Sequence, residues 1–253
     1  MKLFRIRALM LKHWYRTISS ADRIVDMVFW PVLDLVIWGF TAIFVEKSTT
    51  TNPFAQIFIG GVMLWWFFDR AQKDITIYVM EDFWDQSVYN LYTSPVKESE
   101  LFISTAVIGF ARAMFSFVLL FTVAVLGYKF NILSIGITVF SLFTIPLFIF
   151  GWALGLATSA IVYRFGSRAS IMTWVLPFLI QPISAVFYPL SALPNVLQII
   201  AQAIPLSHIF EGFRAALQGS FVIREFLIAA VLSIVYFVGG YLIFCWSVKR
   251  SKE

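Results

Sequence analysis

Six stretches of this chain are candidates to cross a lipid bilayer: residues 24–45, 54–79, 101–128, 133–162, 170–188 and 225–247. A span needs about 20 mostly apolar residues. Inside lipid a spanning segment has to satisfy its own backbone hydrogen bonds, so all six are expected to be helices. A β-barrel is excluded because the runs are continuous and do not alternate over ten-residue segments. A soluble fold of 253 residues could not hide this sequence: 60% is hydrophobic, and only 13% is charged. An average soluble domain is about 25% charged. The expectation is an all-α membrane protein with six transmembrane helices.

Six spans put both ends of the chain on one face, and the basic residues say which face. Lys2, Arg5, Arg7, Lys12, Arg16 and Arg23 precede the first span. Arg70, Lys73 and Lys97 belong to the second-to-third connection, Arg164 and Arg168 to the fourth-to-fifth, and Lys249, Arg250 and Lys252 to the end of the chain. The other face holds Lys47, Lys129, Arg214 and Arg224. This asymmetry predicts cytoplasmic termini in a multi-pass protein of the cell membrane, inner or plasma. It also accounts for the net charge of +5 without a nucleic-acid partner.

The start of the chain does not read as a cleavable signal, because charges continue through Arg23 and because Asp26 and Asp34 interrupt the apolar run. Leu3, Phe4, Ala8, Leu11, Trp14, Tyr15 and Ile18 instead fall near one helical face, with Arg5, Lys12 and Arg16 off it. Residues 1–23 are expected to be an amphipathic helix lying on the cytoplasmic leaflet, ahead of the membrane domain 24–253. The single cysteine, Cys245, allows no intrachain disulfide, and His13 and His208 have no ligand spacing around them. No metal site and no bound cofactor are expected in this chain.

Three regions are candidates for function. The longest cytoplasmic stretch, Glu81–Glu100, sets Phe83, Trp84, Val88, Leu91 and Tyr92 at helical spacing before Pro95. The spacing predicts a short amphipathic helix over about 81–95, either a docking surface or a loop packed on its own spans. Asp82 and Asp85 form a DxxD pair that no second acidic motif completes as a magnesium site. Asp34 and Arg112 each sit about ten residues into a span that starts in the cytoplasm, which predicts an ion pair near mid-membrane, within a subunit or across a dimer. Between the fifth and sixth spans, Pro189, Pro194 and Pro205 bracket two apolar stretches, 194–204 and 205–218, too short to cross. The expectation over about 189–219 is a pair of half-helices, either re-entrant or flat in the outer headgroups. Glu211 and Arg214 lie on the second at a pairing distance of three residues.

Taken in order, the basic N-terminal helix, "NLYTSPVKESELF" and "FYPLSALPNVLQIIAQAIPLSHIFEGFRAAL" resemble the permease subunits of type-2 ATP-binding-cassette (ABC) exporters, and the likeness covers essentially the whole chain. The resemblance implies a permease that pairs with a second copy or a close relative, with two cytosolic ATPase subunits docked below. It implies ATPase coupling through Phe83, Trp84, Asp85, Tyr89, Asn90 and Pro95. It implies an outer gate shaped by Pro189, Pro194, Pro205, Glu211 and Arg214, and a subunit seam lined by the first and fifth spans. The substrates it implies are amphiphiles: drugs, lipids or lipid-linked glycans. The chain has no Gly-x-x-x-x-Gly-Lys loop, so ATP and magnesium are expected on the partner ATPase. Trp65, Trp66, Trp152 and Trp174 become candidates for a central path, against a plainer role as lipid-facing bulk. An integral-membrane enzyme acting on a lipid-linked substrate is the alternative, but no catalytic set completes the acids at 81–85. An ion-coupled carrier would show repeated halves, and none is visible.

Overall fold

The computed structural model describes residues 2–48, 54–87, 93–220 and 222–251. Among the described residues there are nine α-helices and no strand. They are α1 (Leu3–Ile18), α2 (Ala21–Ser48), α3 (Phe54–Trp84), α4 (Glu98–Tyr128), α5 (Ile137–Phe165), α6 (Met172–Ile183), α7 (Asn195–Gln202), α8 (Pro205–Leu217) and α9 (Ile223–Ser251). Short 3-10 turns precede α5, α6 and α7.

Four helices, α2, α4, α5 and α9, are long and apolar enough to cross a membrane. A fifth crossing is available if α7 and α8, bent by 96° at their junction, act as one span. The other two expected spans look different. Helix α3 is long enough at 31 residues but carries Asp69, Arg70, Lys73 and Asp74 in its interior, all buried. It is the inner helix of the bundle, shielded by α2, α4 and α5, so its charges meet protein and not lipid. The run at 170–188 forms only the 12-residue α6, and the chain leaves the helix at Ser184.

Close approach is made by small residues. A Cβ on Gly151 of α5 would lie 2.6 Å from the Ala71 Cβ, and one on Gly155 would lie 2.7 Å from the Gln72 carbonyl oxygen. On the other side of α5, a Cβ on Gly240 of α9 would come 2.6 Å from the Ala153 carbonyl oxygen. In lipid no hydrophobic drive brings helices together, so this backbone contact is what packs α5 between α3 and α9.

Pro31 inside α2 has no N–H for the Met27 carbonyl. The Ser116 hydroxyl of α4 donates to that carbonyl at 3.0 Å, which repairs the gap and ties α2 to α4.

The N-terminal helix differs from expectation in its boundary. Helix α1 ends at Ile18, and Arg23 already belongs to α2. Ile6, His13 and Thr17 face the protein, while Leu3, Phe4, Leu11, Trp14, Tyr15 and Ile18 form an exposed apolar face.

Candidate functional site

The charges of α3 are matched by neighbours. Arg70 pairs with Asp26 of α2 at 2.6 Å, and Lys73 with Asp69 one turn away at 2.9 Å. Asp74 pairs with Arg112 of α4 at 2.8 Å, and Arg112 also donates to the Tyr78 hydroxyl at 3.3 Å. Arg112 and Asp74 are almost fully buried, so each is the other's compensation for lost water.

The expected Asp34–Arg112 pair is therefore corrected: within the chain Arg112 belongs to Asp74. The reason is depth. Arg112 meets Met27 on α2, its Nε 3.2 Å from the sulfur. Asp34 lies seven residues further along α2, roughly 10 Å at about 1.5 Å per residue. At that level it accepts a hydrogen bond from the Trp66 indole at 3.0 Å.

Asp34 opens onto a cavity of about 600 Å³ between α2, α3 and α6. From α2 come Asp26, Trp30, Asp34 and Trp38, one every four residues, which places them on one helix face. From α3 come Trp65, Trp66, Asp69 and Lys73, and from α6 Trp174, Phe178 and Gln181. Three of the four tryptophans singled out from sequence thus line one space. Trp152 does not: it packs against Phe102 and Phe148, with ring centroids 6.0 and 5.8 Å away. Trp30 and Trp38 were missed, although the four-residue spacing of Asp26, Trp30, Asp34 and Trp38 was visible in the sequence.

At the C-terminal end of α3, Glu81, Asp82 and Asp85 meet the basic face of α1. Lys12 binds Asp82 at 2.7 Å, and Arg16 reaches Asp82 at 3.1 Å and also Asp85. Arg23 of α2 binds Glu81. Burial alone would raise the Asp82 pKa, but hydrogen bonds and charge from Lys12, with Ser87 and Arg16, hold it below the usual carboxylate value. His13 is buried beneath this cluster, its ring 4.0 Å from that of Tyr78. Burial first, and the charge of Lys12 next, lower its pKa to about 3, so it is neutral at physiological pH.

The short helix expected over 81–95 is corrected at its start only. Phe83 and Trp84 are the last turn of α3, continuous with the bundle, and a turn follows in which Gln86 has φ 56°. Phe83 packs on Tyr163, ring centroids 5.4 Å apart, whereas Trp84 is half exposed. Pro95 accepts a hydrogen bond from Arg5 through its carbonyl. Tyr89 and Asn90 lie outside the described residues, as do Val88, Leu91 and Tyr92.

In the proline-rich segment, Pro189 precedes a 3-10 turn, Pro194 precedes α7, and Pro205 is the first residue of α8. Glu211 and Arg214 pair at 3.0 Å. Each also reaches back to the stretch after α6. Glu211 accepts from the Leu190 N–H at 2.6 Å, and Arg214 donates to the Ala185 carbonyl at 2.7 Å. Ala185 is in the left-handed region, φ 53°, which a residue with a Cβ adopts only when surrounding structure holds it. His208 joins α8 to α9 by a 2.6 Å contact with Glu225.

Two findings come from comparison with known proteins. The sequence matches the family model described as ABC-2 type transporter over residues 6–218. No curated protein matches the chain.

Proposed function

The chain belongs to the ABC-2 type transporter family and is a permease component of such a transporter, and we propose that it forms half of an ATP-driven exporter for an amphiphilic or hydrophobic substrate. Members of this family generally work with an ABC ATPase, and this permease would pair with a second copy of itself above two such ATPases. The termini and α1 would lie at the cytoplasmic face of the inner or plasma membrane, with the exposed apolar face of α1 against lipid.

The observation that carries the reading is the family match laid over the cavity between α2, α3 and α6, whose open side is bordered by exposed apolar side chains of α2 and α6. Six crossings would be made by α2, α3, α4, α5, the α6 region and α9, with α7 and α8 as a re-entrant outer gate. The bend of 96° and the ties from Glu211 and Arg214 to residues 185–190 support a hairpin that moves with the end of α6. Trp84, exposed at the inner tip of α3, would press on the ATPase together with Asp85, Tyr89 and Asn90. Because α3 is one helix from the cavity to Trp84, a push at its tip would be felt at Trp66 and Asp69.

A labelling experiment that needs no substrate tests this. In membranes holding the ATPase, with Cys245→Ser to remove the native thiol, Ile37→Cys places a thiol on the cavity wall. Its reaction with a membrane-impermeant maleimide is expected to change several-fold when ATP and vanadate are added. In the Trp84→Ala variant ATP hydrolysis should persist while this change is lost. Labelling indifferent to nucleotide would contradict the exporter reading, and a normal response in Trp84→Ala would remove Trp84 from the coupling.

A further inference from the structure

We propose that the cavity between α2, α3 and α6 binds a hydrophobic organic cation, held by its aromatic walls and by the Asp34 carboxylate. The proposal rests on the transport reading and names its substrate class.

The argument starts from charge. Four ionisable side chains line the cavity: Asp26, Asp34, Asp69 and Lys73. Asp26 is neutralised by Arg70 at 2.6 Å, and Asp69 by Lys73 at 2.9 Å. Asp34 has only neutral donors, the indoles of Trp66, at 3.0 Å, and Trp38, and no cation forms an ion pair with it among the described residues. One carboxyl group is left without a counter-cation on a wall made largely of rings. A lone carboxylate in an apolar, membrane-level space is costly, and a cation entering that space offsets the cost.

The walls suit such a guest. A cation within about 6 Å of an aromatic ring is attracted by the ring's negative face, most strongly by tryptophan. Trp66 already has the chain's own cations near it, Arg70 at 5.7 Å and Lys73 at 5.8 Å from the ring centre. Trp30, Trp174 and Phe178, all exposed, remain for a guest, whereas Trp38 already stacks on Phe187 at 5.0 Å. The volume, about 600 Å³, lies in the range of small-molecule sites, about 300–1,000 Å³.

The same inventory argues against the other substrate classes. A phosphate-bearing lipid would need a free cation, and both Arg70 and Lys73 are taken. A glycan would need several acceptors as well as donors, and beyond the ion pairs the lining offers as acceptors Asp34 and Gln181, its other polar groups being indole N–H donors.

The test uses the purified full chain in lipid nanodiscs and radiolabelled tetraphenylphosphonium, with empty nanodiscs subtracted. Saturable binding is expected, and tetraphenylborate, of the same shape and opposite charge, should neither bind saturably nor compete. Asp34→Asn should weaken phosphonium binding at least about tenfold, while Asp22→Asn, on the same helix but off the cavity, should not change it. Equal competition by the borate, or unchanged affinity in Asp34→Asn, would overturn the proposal, as would displacement of the bound phosphonium by an uncharged oligosaccharide. The phosphonium and borate comparison on the native chain decides the matter even if Asp34→Asn fails to fold. The assay needs no ATPase. Failure here with a nucleotide response intact in the labelling experiment would sink the cation and leave the exporter. Cation binding without any nucleotide response would do the reverse.

Discussion

Two residues carry sharp consequences. Arg112 and Asp74 are buried against each other at 2.8 Å, so removing one strands the other's charge inside the bundle. Asp74→Asn is expected to cost about 3–5 kcal/mol, and Asp74→Asn with Arg112→Gln to recover much of it. Thermal unfolding in mild detergent checks both, and a double variant no better than the single would show that Arg112 has another essential partner. His13 makes a prediction about pH. Burial and Lys12 lower its pKa to about 3, while in an undocked α1 it would titrate near the ordinary 6.5. The undocked helix therefore takes up a proton first. Docking of α1 is at full strength above about pH 6.5 and weakens as pH falls towards 3, by about 2 kcal/mol at pH 5. Asp82, whose pKa is lowered, adds its own loss only below the usual carboxylate value. Hydrogen-exchange protection over residues 3–18, corrected for the intrinsic pH dependence of amide exchange, should fall between pH 7.5 and 5, and His13→Phe should abolish that fall.

At the scale of elements, composition revealed what lipid demands and concealed what protein neighbours supply. Helices α2, α4, α5 and α9 were legible because nothing but a span accounts for such runs. Helix α1 was legible from its periodicity, and the breaks at Pro194 and Pro205 from the missing N–H. The partner of Arg112 was not legible, because counting residues from guessed span starts put Asp34 at its depth, and only the contact with Met27 shows the offset. The start of the cytoplasmic helix expected over 81–95 was not legible for a related reason. Phe83 and Trp84 do have helical spacing, but they continue α3 instead of starting anew. The cavity was half legible, through Trp65, Trp66 and Trp174, and its α2 wall was overlooked. Packing of α5 rests on glycines that a sequence reading passes over. Gly155→Leu would drive a side chain into the Gln72 carbonyl, already 2.7 Å from the added Cβ. The expected outcome is loss of most folded protein in fluorescence-detected size-exclusion chromatography, whereas Gly127→Leu, where nothing lies within 4 Å, should behave like the native chain.

At the scale of the whole molecule, the parts form a lever. The C-terminal tip of α3 at Trp84, the matched charges of its middle and its share of the cavity wall lie on one helix of 31 residues. Helix α1 clamps that helix near its tip through Lys12 and Arg16. Helix α8 grips the segment just after α6 through Arg214. Force applied at one end would reach the other through packed elements, as the proposed drive by a separate ATPase requires.

The central claim is that this lever is driven by a separate ATPase. The most direct measurement is capture of the tagged full chain from its native membrane in mild detergent, with and without crosslinking, followed by mass spectrometry of what comes with it. The account predicts an ABC ATPase in equal amount with the chain. A clean preparation without an ATPase, unchanged after crosslinking, would contradict it.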